Sequence, residues 1–114
     1  MTRFALTGCR IFTGEDFLEG HAVVIDGERI RAVLRRDELR GIEQRDLGGG
    51  LLAPGFIDVQ VNGGGGALLN DAPTVETVRT IATSHRRFGT VGLLPTVITD
   101  APHIIAAAVR SVAM

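Results

Sequence analysis

The chain has 114 residues, enough for one ordinary domain or for a small domain and part of another, so a complete multi-domain enzyme is excluded. Hydrophobic residues make up 45% and charged residues 22%, as in globular proteins, which excludes disorder, coiled coil and collagen. The formal net charge of −1 leaves no basic excess, so we expect no nucleic-acid partner.

The only cysteine, Cys9, excludes an internal disulfide and indicates a reducing compartment, so we expect a cytoplasmic protein. We expect Cys9 itself to be a buried filler. The N-terminus lacks the pattern of a signal peptide, and the apolar stretch at residues 104–109 is too short to span a membrane. We therefore expect no membrane partner.

Charge is distributed unevenly along the chain. Residues 1–50 hold 8 Arg and 9 acidic residues, against 4 and 4 in residues 51–114, and the change coincides with three consecutive glycines at 48–50. We place a domain boundary there. Before it, apolar runs broken by turn formers predict strands at residues 4–6, 9–12, 21–25, 29–34 and 44–47, with a helical turn at 36–40.

The pair Asp26-Gly27 predicts a β-hairpin over residues 21–35, because both residues tolerate positive φ at the centre of a tight turn. After the boundary, residues 51–61 predict a buried strand and 62–66 a loop. Residues 91–98 predict a second buried strand that contains Pro95 and ends near Thr96.

Two helices are predicted in the second half. Thr74 is expected to cap the first, and Gly89 to end it. Asp100 is expected to cap the second, with Pro102 in its first turn. The apolar face of the first helix comprises Val75, Val78, Ile81, Ala82 and Phe88. That of the second comprises Ile104, Ile105, Ala108, Val109 and Val112.

The order strand, helix, strand, helix predicts an α/β fold with two parallel strands and a right-handed crossover. A closed eight-stranded barrel needs ~250 residues, so residues 51–114 hold only two of its strand and helix units. Because two strands cannot bury their apolar residues, we interpret the sequence as the N-terminal portion of a longer protein. A complete small α+β domain is the alternative.

The segment LLAPGFIDVQVNGGGG, residues 51–66, resembles the start of the barrel in the amidohydrolase superfamily. Most members carry His-x-His where this chain has Gln60 and Asn62. Positions 60 and 62 lie two apart on a strand, so their side chains point the same way. Amides bind Zn²⁺ poorly, which argues against a binuclear metal site. Gln60 and Asn62 could instead hydrogen-bond a metal-bound water or a substrate.

The pattern Gln-x-Asn-Gly is similar to one branch, the N-acetylglucosamine-6-phosphate deacetylases. LLNDAP and FGTVGLLPTVITD are similar to the family's next loop and second barrel strand, so the resemblance covers residues 51–100 well. It implies a small β-sandwich-like domain, of which residues 1–50 are the N-terminal part. Residues 51–114 are then the first two β/α units of an incomplete (β/α)8 TIM-type barrel.

The resemblance implies an enzyme that hydrolyses N-acetylglucosamine 6-phosphate to glucosamine 6-phosphate and acetate, with one divalent metal, usually zinc, and commonly as a homodimer. The family's metal ligands, a Glu and two His, and its catalytic Asp would lie beyond residue 114. We therefore expect this chain alone to be inactive, to bind no metal, and to contribute only residues near the site or lining the substrate: Gln60, Asn62, Gly63 and Thr96.

Simpler roles and rival functions remain open. Asp58 is expected to anchor loops rather than catalyse, and the glycines at 63–66 lack the Lys and Ser or Thr of a P-loop, which favours close backbone packing or flexibility. The three histidines match no metal-ligand spacing. A dihydroorotase-like or hydantoinase-like hydrolase is the rival enzyme, although the missing His-x-His argues against it. A non-catalytic α+β binding module is the rival if the chain is complete.

Overall fold

The structure, a computed structural model, describes residues 3–114. It is mostly β with two α-helices. The chain divides into two compact units, the first ending at Pro54 and the second covering Gly55–Met114. Within the described residues, no helix is long and apolar enough to cross a membrane.

The first unit consists of seven strands and one 3-10 turn. They are β1 Arg3–Thr7, β2 Arg10–Phe12, β3 Phe17–Leu18, β4 His21–Asp26, β5 Arg29–Arg35, the 3-10 turn Arg36–Glu38, β6 Glu43–Asp46 and β7 Leu51–Leu52. Four strands form one sheet in the order β5-β4-β1-β6, and three form another in the order β3-β2-β7. The strands predicted from the apolar runs are confirmed, and β3 is additional.

Both sheets contribute to the packing of this unit. Ala5, Ala22 and Val24 are buried on one face of the larger sheet. Apolar side chains from both sheets, including Leu6, Ile11, Val23, Ile25 and Leu52, line an open cleft of ≈ 340 Å³. Cys9 is only half-buried, because it lies in the turn between β1 and β2, so its prediction as a buried filler is wrong.

The predicted hairpin is present, with a different turn. β4 and β5 pair antiparallel from His21 opposite Arg35 to Asp26 opposite Arg29, so the turn residues are Gly27 and Glu28. Only Gly27 has positive φ, at 60°, and Asp26 closes the ladder. Asp26 also accepts a 2.8 Å hydrogen bond from the guanidinium of Arg3, which holds the pKa of its carboxyl below the usual value.

The second unit contains four strands and two helices. They are β8 Phe56–Val61, β9 Gly63–Gly64, β10 Ala67–Leu68, α1 Val75–Arg86, β11 Thr90–Pro95 and α2 Pro102–Val112. β8 and β11 pair in parallel, with α1 between them in sequence, so the predicted order and strand direction are confirmed. The buried core comprises Val61, Leu69, Ile81 and Ala108.

The ends of α1 follow the sequence signals, whereas the start of α2 does not. Thr74 caps α1 by accepting a 3.2 Å hydrogen bond from the backbone N–H of Thr77, and Gly89 follows the helix with φ of 97°. Ala101, not Asp100, is the capping position of α2. The side chain of Asp100 accepts from Asn70 Nδ2 and from the Ala101 N–H, so the predicted cap is wrong.

The predicted buried strand over residues 51–61 is divided in two. Pro54 has no N–H to donate to a ladder, and the chain is irregular between β7 and β8. β8 is also less buried than predicted, since Ile57 and Val59 are both 71% exposed. The cause is that β8 has one neighbouring strand, and only Val61 at its end reaches the core.

The same lack of cover affects other apolar residues of this unit. Phe88, predicted on the apolar face of α1, lies beyond the helix and is 71% exposed. Val91 and Leu94 of β11, and Val109 and Val112 of α2, are exposed as well.

Gly8 provides a sharp test of the packing between β1 and β6. Its φ is +73°, and a Cβ at this position would collide with the carboxylate of Asp46, which accepts a 2.8 Å hydrogen bond from the Gly48 N–H. We expect Gly8→Ala to lower the free energy of unfolding by about 1 kcal/mol beyond the backbone strain alone, because the carboxylate of Asp46 must turn away and lose its hydrogen bond from Gly48. Urea titration measures this loss.

Gly20→Ala is the matched control, because Gly20 has nearly the same φ, +66°, and nothing within 4 Å of the added Cβ. It reports the cost of a left-handed alanine, about 1 to 2 kcal/mol, without the collision. Equal losses in the two variants would contradict the packing argument.

Candidate functional site

The candidate site lies where the parallel strands β8 and β11 end. The last paired residues are Val61 and Pro95, and the next residues along each strand direction are Asn62 and Thr96. Ligand sites of parallel sheets form at the carboxyl ends of the strands. The structure therefore brings the predicted residues Asn62, Gly63 and Thr96 to this edge, with Gln60 just before it.

Asn62 and Thr96 are in direct contact. Asn62 Nδ2 donates a 2.8 Å hydrogen bond to the backbone oxygen of Thr96, and the Thr96 N–H donates to the Val61 oxygen at 2.8 Å. The hydroxyl of Thr96 donates to the Leu94 oxygen at 3.0 Å. Both side chains are half-buried and their conformations are fixed by these bonds.

Gln60 is held only through its backbone. Its N–H donates a 3.0 Å hydrogen bond to Asp58 Oδ1, so Asp58 bonds two residues along its own strand. The side chain of Gln60 is exposed and makes no hydrogen bond within the described residues 3–114. Its amide is thus free to bind a polar ligand at the edge.

Residues 62–66 are predicted as a loop, but residues 63–68 form a tight hairpin instead. β9 and β10 pair antiparallel around Gly65 and Gly66, both with positive φ. Glycine permits this turn because it has no Cβ to oppose a left-handed backbone.

The hairpin packs closely against α1. A Cβ on Gly64 would lie 2.6 Å from Ser84 Oγ and 2.7 Å from His85 Nε2, and His85 Nε2 donates a 3.0 Å hydrogen bond to the Gly63 oxygen. Of the two alternatives that the sequence left open for the glycines, close backbone packing is the one found at Gly63 and Gly64. His85 contacts the hairpin backbone, which its position near the end of α1 did not indicate.

Asn70 is a residue of this edge that sequence reasoning missed. Its Oδ1 accepts from the Ile98 N–H at 2.9 Å, and its Nδ2 donates to the Ile98 oxygen at 2.9 Å and to Asp100 Oδ2 at 3.0 Å. The hydrogen bond from Asn70, followed by that from the Ala101 N–H, lowers the pKa of the Asp100 carboxyl. No local sequence signal marks such a residue, because its partners are 28 and 30 residues away.

The side chains at this edge do not form a metal site. No group of three or more His, Cys, Asp or Glu lies close enough to hold a metal ion anywhere in residues 3–114. Gln60 and Asn62 carry neutral amides, which are weak ligands for zinc. What the edge does offer is a set of hydrogen-bonding groups suited to a polar, uncharged part of a ligand.

Residues 3–52 match the family model described as the NagA composite domain. The chain is 42% identical over 109 residues to the N-acetylglucosamine-6-phosphate deacetylase of Haemophilus influenzae, covering 95% of this chain and 29% of that protein. It is 54% identical over 67 residues to the N-acetylgalactosamine-6-phosphate deacetylase of a Shewanella species, covering 59% of this chain and 17% of that protein.

The fold agrees with these similarities. The crystal structure of N-acetylglucosamine-6-phosphate deacetylase from Pasteurella multocida superposes with a TM-score of 0.87 at 34% identity, over 96% of this chain and 29% of that one. The chain thus spans less than a third of the length of the relatives it matches. By sequence and by fold, this chain is similar to a part of the N-acetylglucosamine-6-phosphate deacetylases that spans less than a third of their length.

Proposed function

We propose that the protein expressed from the intact gene, called the intact protein below, removes the acetyl group from N-acetylglucosamine 6-phosphate, giving glucosamine 6-phosphate and acetate. The observation that carries the proposal is the 42% identity to a deacetylase, which extends over 95% of the chain. The expected partner is therefore an amino-sugar phosphate, and the expected assembly is a cytoplasmic homodimer.

The architecture supports this proposal. We assign residues 51–114 to the first two β/α units of a (β/α)8 barrel, and residues 1–50 to the N-terminal part of a small β domain. The parallel pair β8 and β11, the order of α1 and α2, and the exposed apolar side chains of both strands are typical of barrel units that lack their neighbours. The length of the relatives leaves room for the remaining units.

Within this framework the carboxyl edge lines the substrate site. We assign Gln60, Asn62, Gly63 and Thr96 to that lining. Gln60 has an exposed amide that can hydrogen-bond the polar groups of a sugar, whereas Asn62 is engaged with Thr96 and shapes the wall.

The divalent metal that the family implies, zinc, requires ligands other than the side chains described in residues 3–114, since these form no ligand cluster. The resemblance assigns those ligands and the catalytic Asp to residues beyond this chain.

A second substrate is favoured by a specific observation. The 54% identity to an N-acetylgalactosamine-6-phosphate deacetylase is higher than the 42% to the Haemophilus deacetylase, although it covers only 59% of this chain. The two sugar phosphates differ in the orientation of one hydroxyl, which a site reads through its hydrogen-bonding groups. The intact protein should therefore be assayed with both sugars.

We expect the intact protein to release acetate from N-acetylglucosamine 6-phosphate, and to lose at least about tenfold in rate when a chelator removes its metal. Added zinc should restore the rate. Acetate release is measured by a coupled assay with each of the two sugar phosphates. A higher kcat/KM for the galactosamine epimer would favour the second substrate, and hydrolysis of dihydroorotate or a hydantoin instead would contradict the proposal.

The isolated 114-residue chain is expected to release no acetate, because a hydrolytic site needs its metal ligands and these are absent from residues 3–114. The same coupled assay measures this, at a protein concentration at which the intact protein gives a readily measured rate of acetate release. Metal-dependent acetate release by the isolated chain would show that the assignment of ligands to other parts of the protein is wrong.

In the intact protein, Gln60→Ala should lower kcat/KM by about tenfold, because it removes a hydrogen-bonding group at the edge while leaving the backbone bond to Asp58. Steady-state kinetics measure the effect. Gln44→Ala is the matched control, since Gln44 is also an exposed strand glutamine but lies on β6 of the first unit. Equal kinetics for both variants and the wild type would remove Gln60 from the site.

A further inference from the structure

Two asparagines tie the segment after β8 to the segment after β11. Asn62 donates to the backbone oxygen of Thr96, and Asn70 bonds both the N–H and the oxygen of Ile98. Thr96 and Ile98 are two residues apart, so the two asparagines bond alternate residues of one extended segment. The ties continue the parallel pairing of β8 and β11 beyond the last strand residues.

The side chain of Asn70 acts as a substitute for a strand residue. Its oxygen and nitrogen both lie 2.9 Å from the backbone of Ile98, and this fixes the amide orientation and the position of Ile98 together. The third bond, to Asp100, reaches the residue just before the capping position of α2. One side chain therefore bonds two residues, Ile98 and Asp100, of the connection from β11 to α2.

Asn70 is itself held by the core. The preceding residue, Leu69, is 1% exposed and packs with Val61 and Ile81, and its N–H donates a 2.9 Å hydrogen bond to the Asn62 oxygen. The backbone just before Asn70 is thus fixed by core packing and by the hydrogen bond that closes the hairpin. This separates Asn70 from a surface amide that bonds a neighbour by chance.

We propose that Asn70 is a positioning residue for the site at the carboxyl edge, which holds the segment containing Thr96 in a fixed place against Asn62. This inference rests on the proposed function, because it assigns the fixed segment to the wall of the amino-sugar phosphate site. Asn70 acts through Thr96 and Asn62 and contributes no chemistry of its own.

A displaced wall weakens the binding of the ground state and of the transition state alike. In the intact protein, Asn70→Ala should therefore raise KM for the sugar phosphate about fivefold or more and change kcat by less than about twofold. The amide of Ile98 should lose its protection from hydrogen–deuterium exchange, because Asn70 Oδ1 is its acceptor. Exchange is followed by mass spectrometry on peptides that cover residues 96–101.

A charge exchange tests the contact directly. In the wild type, Asn70 Nδ2 lies 3.0 Å from Asp100 Oδ2. Asn70→Asp replaces this donor with a second carboxylate, and the two negative charges repel each other. The variant should therefore raise KM at least as much as Asn70→Ala. Adding Asp100→Asn restores one amide donor between the two side chains. The double variant should therefore have a lower KM than Asn70→Asp alone. A general loss of stability would not produce this recovery, because a second substitution would only add to it.

Val24→Ala is the control for stability, since it removes two methyl groups from the core of the first unit and touches neither Asn62 nor Asn70 nor the core beside them. It should lower the melting temperature without changing KM. If the wild type is active but Asn70→Ala keeps its KM, or if the double variant shows no recovery, the positioning role is overturned while the proposed function stands. If the wild type releases no acetate from either sugar phosphate, the proposed function falls, and the positioning role falls with it.

Discussion

The parallel pairing of β8 with β11 determines which residues of the second unit can meet. Parallel strands end at the same edge of a sheet, so residues 34 positions apart, Asn62 and Thr96, come within hydrogen-bonding distance there. An antiparallel arrangement would place them at opposite edges. The side chain of Gln60, the hairpin that follows, and the start of α2 all take their positions from this pairing.

The glycine-rich segment contributes to this arrangement through its lack of side chains. Gly64 lies so close to Ser84 and His85 that no Cβ fits between them, and His85 bonds the Gly63 oxygen. A run of glycines that suggests a flexible or phosphate-binding loop is therefore a packed hairpin on α1. Its order is compatible with a wall that must keep its shape while a substrate binds.

The sequence was sufficient where the signal is local. Thr74 and Gly89 mark the ends of α1, and Gly27 marks the hairpin of β4 and β5, because each acts on residues within a few positions. Asp100 carries the same local signal as Thr74, and the prediction fails there because Asn70, 30 residues away, takes up its carboxylate. Such a competition is decided by tertiary structure.

Exposure was mispredicted for a related reason. The β-branched residues of β8 and β11 indicate burial, but whether Ile57, Val59 and Val91 are buried depends on neighbouring strands rather than on these residues themselves. Spacing alone predicts that the side chains of Gln60 and Asn62 point the same way, whereas their assignment to a site, together with Thr96, rests on the resemblance to the deacetylases. The bonds of Asn70 and His85 could not be predicted, since nothing within their own segments requires them.

The tie at Asn62 also has a consequence for the chemical durability of the protein. Asn62 is followed by Gly63, and an asparagine before glycine is the type most readily deamidated, because the unhindered glycine nitrogen can attack the side-chain carbonyl. In the folded chain the amide is fastened to the Thr96 oxygen and cannot rotate freely toward that nitrogen. We therefore expect folding to slow the deamidation of Asn62. Deamidation would convert the amide to a carboxylate, which cannot donate a hydrogen bond to Thr96.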